Sequence, residues 1–107
     1  MSNIIKLNCL ISGDDLNDIV TLPISMDEQV DSLRYTIKER WSNRLKNIDH
    51  GKLILYKVDN KDLGEVIKYC KDGRNSKLGK HLSPLDTLRE NFEVQPNKKS
   101  IHIIVYY

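Results

Sequence analysis

Residues 20–37 have the sequence VTLPISMDEQVDSLRYTI, and the spacing of the apolar residues changes within this stretch. Its beginning alternates apolar and polar residues, which is typical of a strand with one buried face. From residue 30 onward the apolar residues recur at the spacing of an amphipathic helix. The strand positions are Val20, Leu22 and Ile24, and the helix positions are Val30, Leu33, Ile37 and Trp41. The sequence therefore predicts a strand followed closely by a helix.

Two kinds of residue limit these elements. Pro23 has no N–H for a strand ladder, so the strand at 19–24 is expected at a sheet edge. Ser25 or Asp27 is expected to cap the helix, and Ser25 with Glu28 fits a capping box. An open edge can pair with a second copy of the chain. The sequence leaves a homodimer and a monomer equally open.

The same patterns extend outward along the chain. An alternating stretch at 4–12 predicts the first strand, with Cys9 among its buried residues. The remaining predicted elements are a strand at 53–58, a weaker fourth strand around Val66, Ile67 and Tyr69, a polar loop at 71–80, a short helical turn starting at Ser83 and Pro84, and a last strand at 100–106.

This order indicates an α+β fold with one main helix on a mixed sheet of four to five strands. The order and length match the ubiquitin-like β-grasp fold. A ferredoxin-like fold is the competing assignment, but it needs a second long helix, and residues 70–100 lack the spacing for one. With 107 residues and no internal linker, the sequence predicts one domain spanning 1–107.

Composition excludes several classes of protein. Hydrophobic residues make up 39% and charged residues 30%, as in a folded soluble domain. No apolar run could span a bilayer, and residues 4–11 alternate instead of forming a secretory signal. The charge is uneven, since residues 1–31 hold one lysine against six acids. Cys9 and Cys70 are expected to be reduced thiols.

Three stretches, taken together, resemble the N-terminal header domain of Crinkler effectors of oomycetes and some fungi. They are residues 5–11, IKLNCLI; the helix stripe with Lys38 and Glu39; and residues 53–58, LILYKV. The family's hallmark is a Leu-Phe-Leu-Ala-Lys motif. Its first, third and fifth positions match Leu53, Leu55 and Lys57, whereas Ile54 and Tyr56 depart from it. Fungal members often carry an aromatic residue before the lysine, and the resemblance covers residues 4–107.

The resemblance implies a secreted header that acts in export or in entry into host cells, where it reaches the cytoplasm or nucleus. It also implies a variable C-terminal effector domain, which these 107 residues do not contain. A header-only protein and a piece of a longer chain both fit this. Leu53 and Leu55 are expected in the core, so a trafficking role would rest on an exposed Tyr56 and a solvated Lys57.

Other functions are less well supported by the sequence. An intracellular ubiquitin-like adaptor, binding a protein through its open sheet face or edge, is the main alternative. A weak nucleic-acid contact is the second, although a solvated loop explains the same cations better. These cations are Lys68, Lys71, Arg74, Lys77 and Lys80.

Enzymatic and modifier functions are not expected. The sequence contains no catalytic motif, and His50, His81 and His102 with Cys70 lack metal-ligand spacing. We therefore predict no catalytic residue, cofactor or metal. The last residues are strand-like and lack the glycine tail of a conjugated modifier.

Overall fold

The computed structural model describes residues 3–58, 63–71 and 78–107. Within these residues the chain forms a mixed five-stranded sheet, which confirms the predicted α+β fold. The strands are β1 (Ile4–Ile11), β2 (Val20–Ser25), β3 (Ile54–Lys57), β4 (Lys80–His81) and β5 (Ile103–Tyr106). The α-helices are α1 (Val30–Arg40), α2 (Leu63–Lys71) and α3 (Leu88–Asn91), and 3₁₀ turns lie at Leu16–Asp18 and His50–Lys52.

The last strand of the chain lies beside the first one. The strand order is β2-β1-β5-β3-β4, and β1 pairs antiparallel with β2 but parallel with β5. β3 pairs antiparallel with both β5 and β4. A parallel neighbour requires a crossover, and α1 lies on the connection that makes it.

β2 is an edge strand, as Pro23 predicted. Pro23 lies opposite Lys6, whose N–H and C=O both bond to the Gln95 side chain on the side away from β2. In an antiparallel ladder, the backbone N–H and C=O groups of two directly opposite residues point either toward the partner strand or away from it. Pro23 therefore directs its backbone to the open edge, where it offers a carbonyl but no N–H. The homodimer through this edge stays a prediction.

α1 packs on one side of the sheet, called here the inner face. Its stripe residues Val30, Leu33 and Ile37 are fully buried, as predicted, and Trp41 packs half-buried at the helix end. The strands direct alternate residues toward this helix. Those strand residues include Ile5, Leu7, Cys9, Ile11, Leu22, Ile24, Leu55, Ile103 and Val105, and Leu53 joins them from the position just before β3.

The predicted cap of α1 is wrong. The N-cap residue is Gln29, and its side chain makes no capping hydrogen bond. Ser25 is instead the last residue of β2, and its Oγ accepts a hydrogen bond from the Asp27 N–H at 3.2 Å. The chain turns once between β2 and the helix, which moves the helix start beyond the reach of either predicted cap.

Backbone carbonyls of a distant loop take the place of a side-chain cap. The N–H of Val30 donates to the carbonyl of Asp86 at 2.8 Å, and the N–H of Asp31 donates to the carbonyl of Pro84 at 3.1 Å. The first N–H groups of a helix have no partner within the helix. The loop before α3 supplies that partner, so it is fixed against α1.

The predicted fourth strand at residues 66–69 is wrong, because this segment lies in α2. Leu63, Val66, Ile67 and Cys70 recur at i, i+3, i+4 and i+7, which is helical spacing. Val66 is fully buried, and the other three are half-buried. The β-branched residues Val66 and Ile67 favour a strand, but the spacing of the apolar residues from Leu63 to Cys70 is helical, and the segment forms a helix.

α2 packs on the opposite side of the sheet, called here the outer face, and covers the part of it around Leu10 and Ile104. Leu10 and Ile104 point there, because their neighbours along β1 and β5 point to the inner core. Both belong to one buried cluster with Val66 of α2, and we call this the outer cluster. Its buried members are Leu10, Val58, Val66, Ile101 and Ile104. The sheet therefore lies between two helices.

Two shorter elements also differ from expectation. Part of the predicted loop at 71–80 forms β4, and a Cβ at Gly79 would lie 2.3 Å from the Lys57 carbonyl oxygen, so β4 needs a glycine here. The predicted helical turn begins later than Ser83 and Pro84. α3 starts at Leu88, after a capping box formed by Thr87 and Glu90. Each helix among the described residues is too short or too polar to cross a membrane.

Candidate functional site

The motif at residues 53–57 divides between the core and the surface. Leu53 and Leu55 are buried in the inner core, as alternate positions of a half-buried strand should be. Ile54 lies on the other face of β3 and is 37% exposed. The leucines of the motif therefore serve packing, and contact with a partner is left to the other positions.

Tyr56 of the motif belongs to an aromatic group on the outer face. Its ring meets Tyr106 edge-on at 5.4 Å and His81 at 5.5 Å between centroids. The hydroxyl of Tyr106 accepts a hydrogen bond from the Leu78 N–H at 3.1 Å, and burial raises the pKa of Tyr106. Tyr56 is half-buried rather than fully exposed.

Lys57 is not solvated as expected. Its Nζ donates to the carbonyl of Asn91 at 2.5 Å and lies 4.8 Å from the centroid of the Phe92 ring. The last carbonyls of a helix and the face of an aromatic ring both attract a cation. These contacts hold the half-buried lysine in place beside the end of α3.

The motif lysine lines an open groove of about 390 Å³, called here the Lys57 groove. Val94 is 74% exposed and adds apolar surface to it, while Phe92 is buried beneath. The groove combines an apolar wall, two carboxylates and one held ammonium group, which suits a peptide segment. Its lining residues are Lys57, Glu90, Asn91, Phe92, Glu93, Val94 and Pro96.

Sequence reasoning found only one residue of this groove. The motif identifies Lys57, whereas Phe92 and Val94 lie in a segment for which the sequence predicts neither a helix nor a strand. A possible signal was Phe92, the one phenylalanine of the chain, placed shortly after an apolar triplet at Leu82, Leu85 and Leu88. Nothing in the spacing, however, indicates that Phe92 reaches Lys57.

Side-chain hydrogen bonds fix the segment that follows the groove to β1. Gln95 accepts from the Lys6 N–H at 2.8 Å and donates to the Lys6 carbonyl at 2.9 Å. The Nδ1 of His102 accepts from the Asn8 N–H at 2.9 Å, and its Nε2 lies 2.6 Å from the carbonyl oxygen of Asn97. These groups supply the partners that a regular strand would supply.

The buried imidazole of His102 is held in its neutral form. Nδ1 has to be unprotonated to accept from Asn8, so the proton lies on Nε2 and is donated to Asn97. Burial lowers the pKa of His102, and the hydrogen bond to Asn97 opposes this to a smaller extent. The ring therefore functions as a structural link between β1 and the chain before β5.

The predicted cationic loop is spread over different elements. Lys68 and Lys71 lie on α2, and Lys80 lies on β4, all with exposed side chains. Lys71 forms an ion pair with Asp15. Arg74 and Lys77 lie outside the described residues. The described members thus do not form the continuous loop that the sequence suggested.

The two thiols differ in environment. Cys9 is fully buried, and burial raises the pKa of its thiol to about 12, so it is protonated at neutral pH. Cys70 is half-buried on α2, and neither cysteine is in a disulfide. Within residues 3–58, 63–71 and 78–107, no three His, Cys, Asp or Glu side chains are arranged to hold a metal ion.

The class of protein is shown by a solved structure that is similar to this chain. The chain resembles the solution structure of the C-terminal ubiquitin-like domain of mouse tubulin-specific chaperone e, with a TM-score of 0.58 and 15% sequence identity. The match covers 99% of this chain and 88% of the mouse domain. At this identity the likeness establishes the fold alone, and the fold is ubiquitin-like.

The family follows from the sequence. Residues 5–106 match the family model of the Crinkler effector protein N-terminal domain. This chain therefore belongs to the Crinkler N-terminal domain family, as its resemblance indicated. Among curated protein sequences, none matches it.

Proposed function

We propose that this domain is the non-enzymatic N-terminal module of a secreted effector, and that it acts in export or in entry into host cells by contacting a protein. Two observations support the proposal. The family is one of effector N-terminal domains, and the ubiquitin-like fold carries a surface groove that could contact a protein.

The position of Lys57 carries the proposal. Lys57 is half-buried and lines a groove with an exposed apolar wall at Val94. Held side chains lose little conformational freedom on binding, which favours recognition. The Lys57 groove is therefore the surface through which the domain meets its partner.

The adaptor alternative, binding a protein through an open sheet face or edge, is less well supported for the middle of the sheet. Leu10 and Ile104 of the outer face are fully buried beneath α2, and the inner face is covered by α1. The outer side of β1 and β2, exposed at Lys6, Thr21 and Pro23, and the β2 edge are the parts of the sheet that such a partner could reach.

The test is a delivery assay with residues 1–107 fused to a reporter in a producing organism. Lys57→Met keeps the apolar stem over Phe92 and removes the ammonium group, while Val94→Arg changes the exposed wall without touching the core. Lys52→Met is the matched control, since Lys52 is an exposed lysine in the 3₁₀ turn before β3. Thermal unfolding of each variant is measured in parallel.

Both groove variants should lower the amount of reporter that leaves the producing cell or enters host cells. Val94→Arg should leave the melting temperature unchanged, whereas Lys57→Met removes the hydrogen bond to the Asn91 carbonyl and should lower the melting temperature without unfolding the domain at the assay temperature. The control should behave as the parent fusion. Normal delivery of both groove variants would remove the groove from the mechanism. Retention of the unmodified fusion inside the producing cell would contradict the delivery function itself.

A further inference from the structure

A second surface feature lies on the solvent side of α1 and shares no lining residue with the Lys57 groove. The rings of Tyr35 and His50 are stacked, with centroids 3.8 Å apart and planes at 24°. Tyr35 is 52% exposed, although its residue type is usually at least partly buried. Stacked rings that face solvent form a flat apolar platform.

Charged neighbours hold the platform in position. The Oδ1 of Asp49 lies 3.2 Å from His50 Nδ1, and the Oδ1 of Asp31 lies 3.7 Å from Nε2. Arg34 binds Asp31 at 2.6 Å and also donates to the carbonyl of Gly51 at 3.2 Å. The turn that carries His50 is thus fastened to α1 through Arg34, and one carboxylate lies near each nitrogen of the imidazole.

The two rings of the platform line one part of a groove of about 400 Å³, called here the Tyr35 groove. Two lysines line it, and the stem of a lysine can add apolar surface while its ammonium group stays in water. The groove is lined by Tyr35, Lys38, Glu39, Ser42, Lys46 and His50. It therefore combines a ring platform with two cations.

The charge around the groove is positive. Residues 38–46 contain four basic residues and one acid, Glu39. Arg44 is occupied by Asp14, which leaves Lys38, Arg40 and Lys46 to set the local potential. Of the two carboxylates beside His50, Asp31 pairs with Arg34, whereas Asp49 is largely exposed. The three cations are therefore opposed by Glu39 and Asp49, and a net positive charge remains. A partner that fits this surface is negatively charged.

We propose that the Tyr35 groove binds an acidic peptide segment that carries one bulky apolar residue. The apolar side chain stacks on Tyr35, and carboxylates on either side of it pair with Lys38 and Lys46. A protein segment fits better than a nucleic acid, because a single platform offers no successive stacking sites for bases. This site is separate from the Lys57 groove and does not depend on it.

The test is a peptide titration of the ¹⁵N-labelled chain, residues 1–107, followed by NMR. The probe is a synthetic peptide with a central phenylalanine flanked by glutamates. Two control peptides replace the phenylalanine by alanine or the glutamates by lysines. Duplex DNA of matched charge is the third control, because it is the other acidic macromolecule that the cations could attract.

Three protein variants complete the design. Tyr35→Ser removes the platform at an exposed position, and Lys38→Glu with Lys46→Glu reverses the cations. Lys98→Glu with Lys99→Glu makes the same charge change at two exposed lysines elsewhere. Circular dichroism verifies that each variant is folded.

The glutamate-flanked peptide should shift the amides of residues 35–50, with a dissociation constant of about 0.1–1 mM. Tyr35→Ser and the Lys38/Lys46 reversal should each weaken binding about tenfold or more, and the Lys98/Lys99 reversal should leave it unchanged within about twofold. Equal binding of the lysine-flanked peptide, shifts elsewhere, no shifts at millimolar peptide, or tighter binding of DNA at the same residues would each overturn the proposal.

Discussion

The two faces of the sheet are covered by helices that are buried to different extents. On the inner face, α1 contributes three fully buried residues to a large core, with Leu7 of β1 at 0% exposure beneath it. On the outer face, α2 contributes one buried residue, Val66, and half-buried neighbours around Leu10. α1 covers the inner face with a complete stripe, whereas α2 covers only the part of the outer face around Leu10 and Ile104.

This difference separates stability from recognition. The inner core supplies most of the buried apolar area and so most of the driving force for folding. The outer cluster covers the middle of a face that would otherwise be open to partners. Two peripheral grooves, at Lys57 and at Tyr35, lie outside the sheet faces.

The largest expected effect comes from a matched pair of cavities on β1. Leu7→Ala and Leu10→Ala remove the same atoms from fully buried sites on opposite faces. Both should reduce the free energy of unfolding by about 2–5 kcal/mol, with Leu7→Ala the larger by about 1 kcal/mol, because half-buried neighbours can close over Leu10. Urea titration measures both values, and a larger loss for Leu10→Ala would reverse the ranking of the two faces.

A second effect concerns pH and the edge of the outer cluster. The folded-state pKa of His102 is below the ordinary value of 6.5, so the unfolded chain binds the proton more readily. Stability from this residue is therefore present above pH 6.5 and is lost as pH falls from 6.5 toward the folded-state pKa. The slope contributed by one such proton is at most about 1.4 kcal/mol per pH unit.

His102→Asn is the informative variant, because its side-chain oxygen can accept from the Asn8 N–H but does not titrate. We expect its unfolding free energy to depend less on pH below 6.5 than that of the parent. Ile101 and Ile104 of the outer cluster flank this position, so their amides should lose exchange protection first in acid. Identical pH profiles for parent and variant would exclude the link.

The smallest expected effect concerns an ion pair that also connects α2 to the rest of the domain. The ion pair between Lys71 and Asp15 joins this helix to the turn before β2, and both side chains are partly exposed. A double-mutant cycle of Lys71→Ala and Asp15→Ala should give a coupling of about 0.2–1 kcal/mol. A coupling above this range would mean that charge, rather than the outer cluster, keeps the helix in place.

Much of the inner face is predictable because its signals are local. The alternation in residues 4–12 and 20–24 and the stripe from Val30 to Ile37 specify the two strands and the helix that build it. The same alternation places Leu53 and Leu55 in the core. These patterns depend only on neighbours within a few positions of the chain.

The outer face and the grooves depend on contacts between distant segments. Val66, Ile67 and Tyr69 are residue types typical of strands and predict one there. The spacing of the apolar residues from Leu63 to Cys70 is helical, and the segment forms α2. Lys57 meets Phe92 and Asn91 across more than thirty residues of chain, and Tyr35 meets His50 through a turn. Neither contact leaves a periodic trace in the sequence.

The most direct test of the two-sided sheet is a methyl NOE experiment on the ¹³C-labelled chain at neutral pH. If α2 covers the outer face, the methyl groups of Val66 should show NOEs to residues of the outer cluster, such as Leu10 and Ile104, and none to Leu33 of α1. If residues 63–71 instead show only sequential NOEs and random-coil shifts, the outer face is open, and binding through it would again be the better explanation.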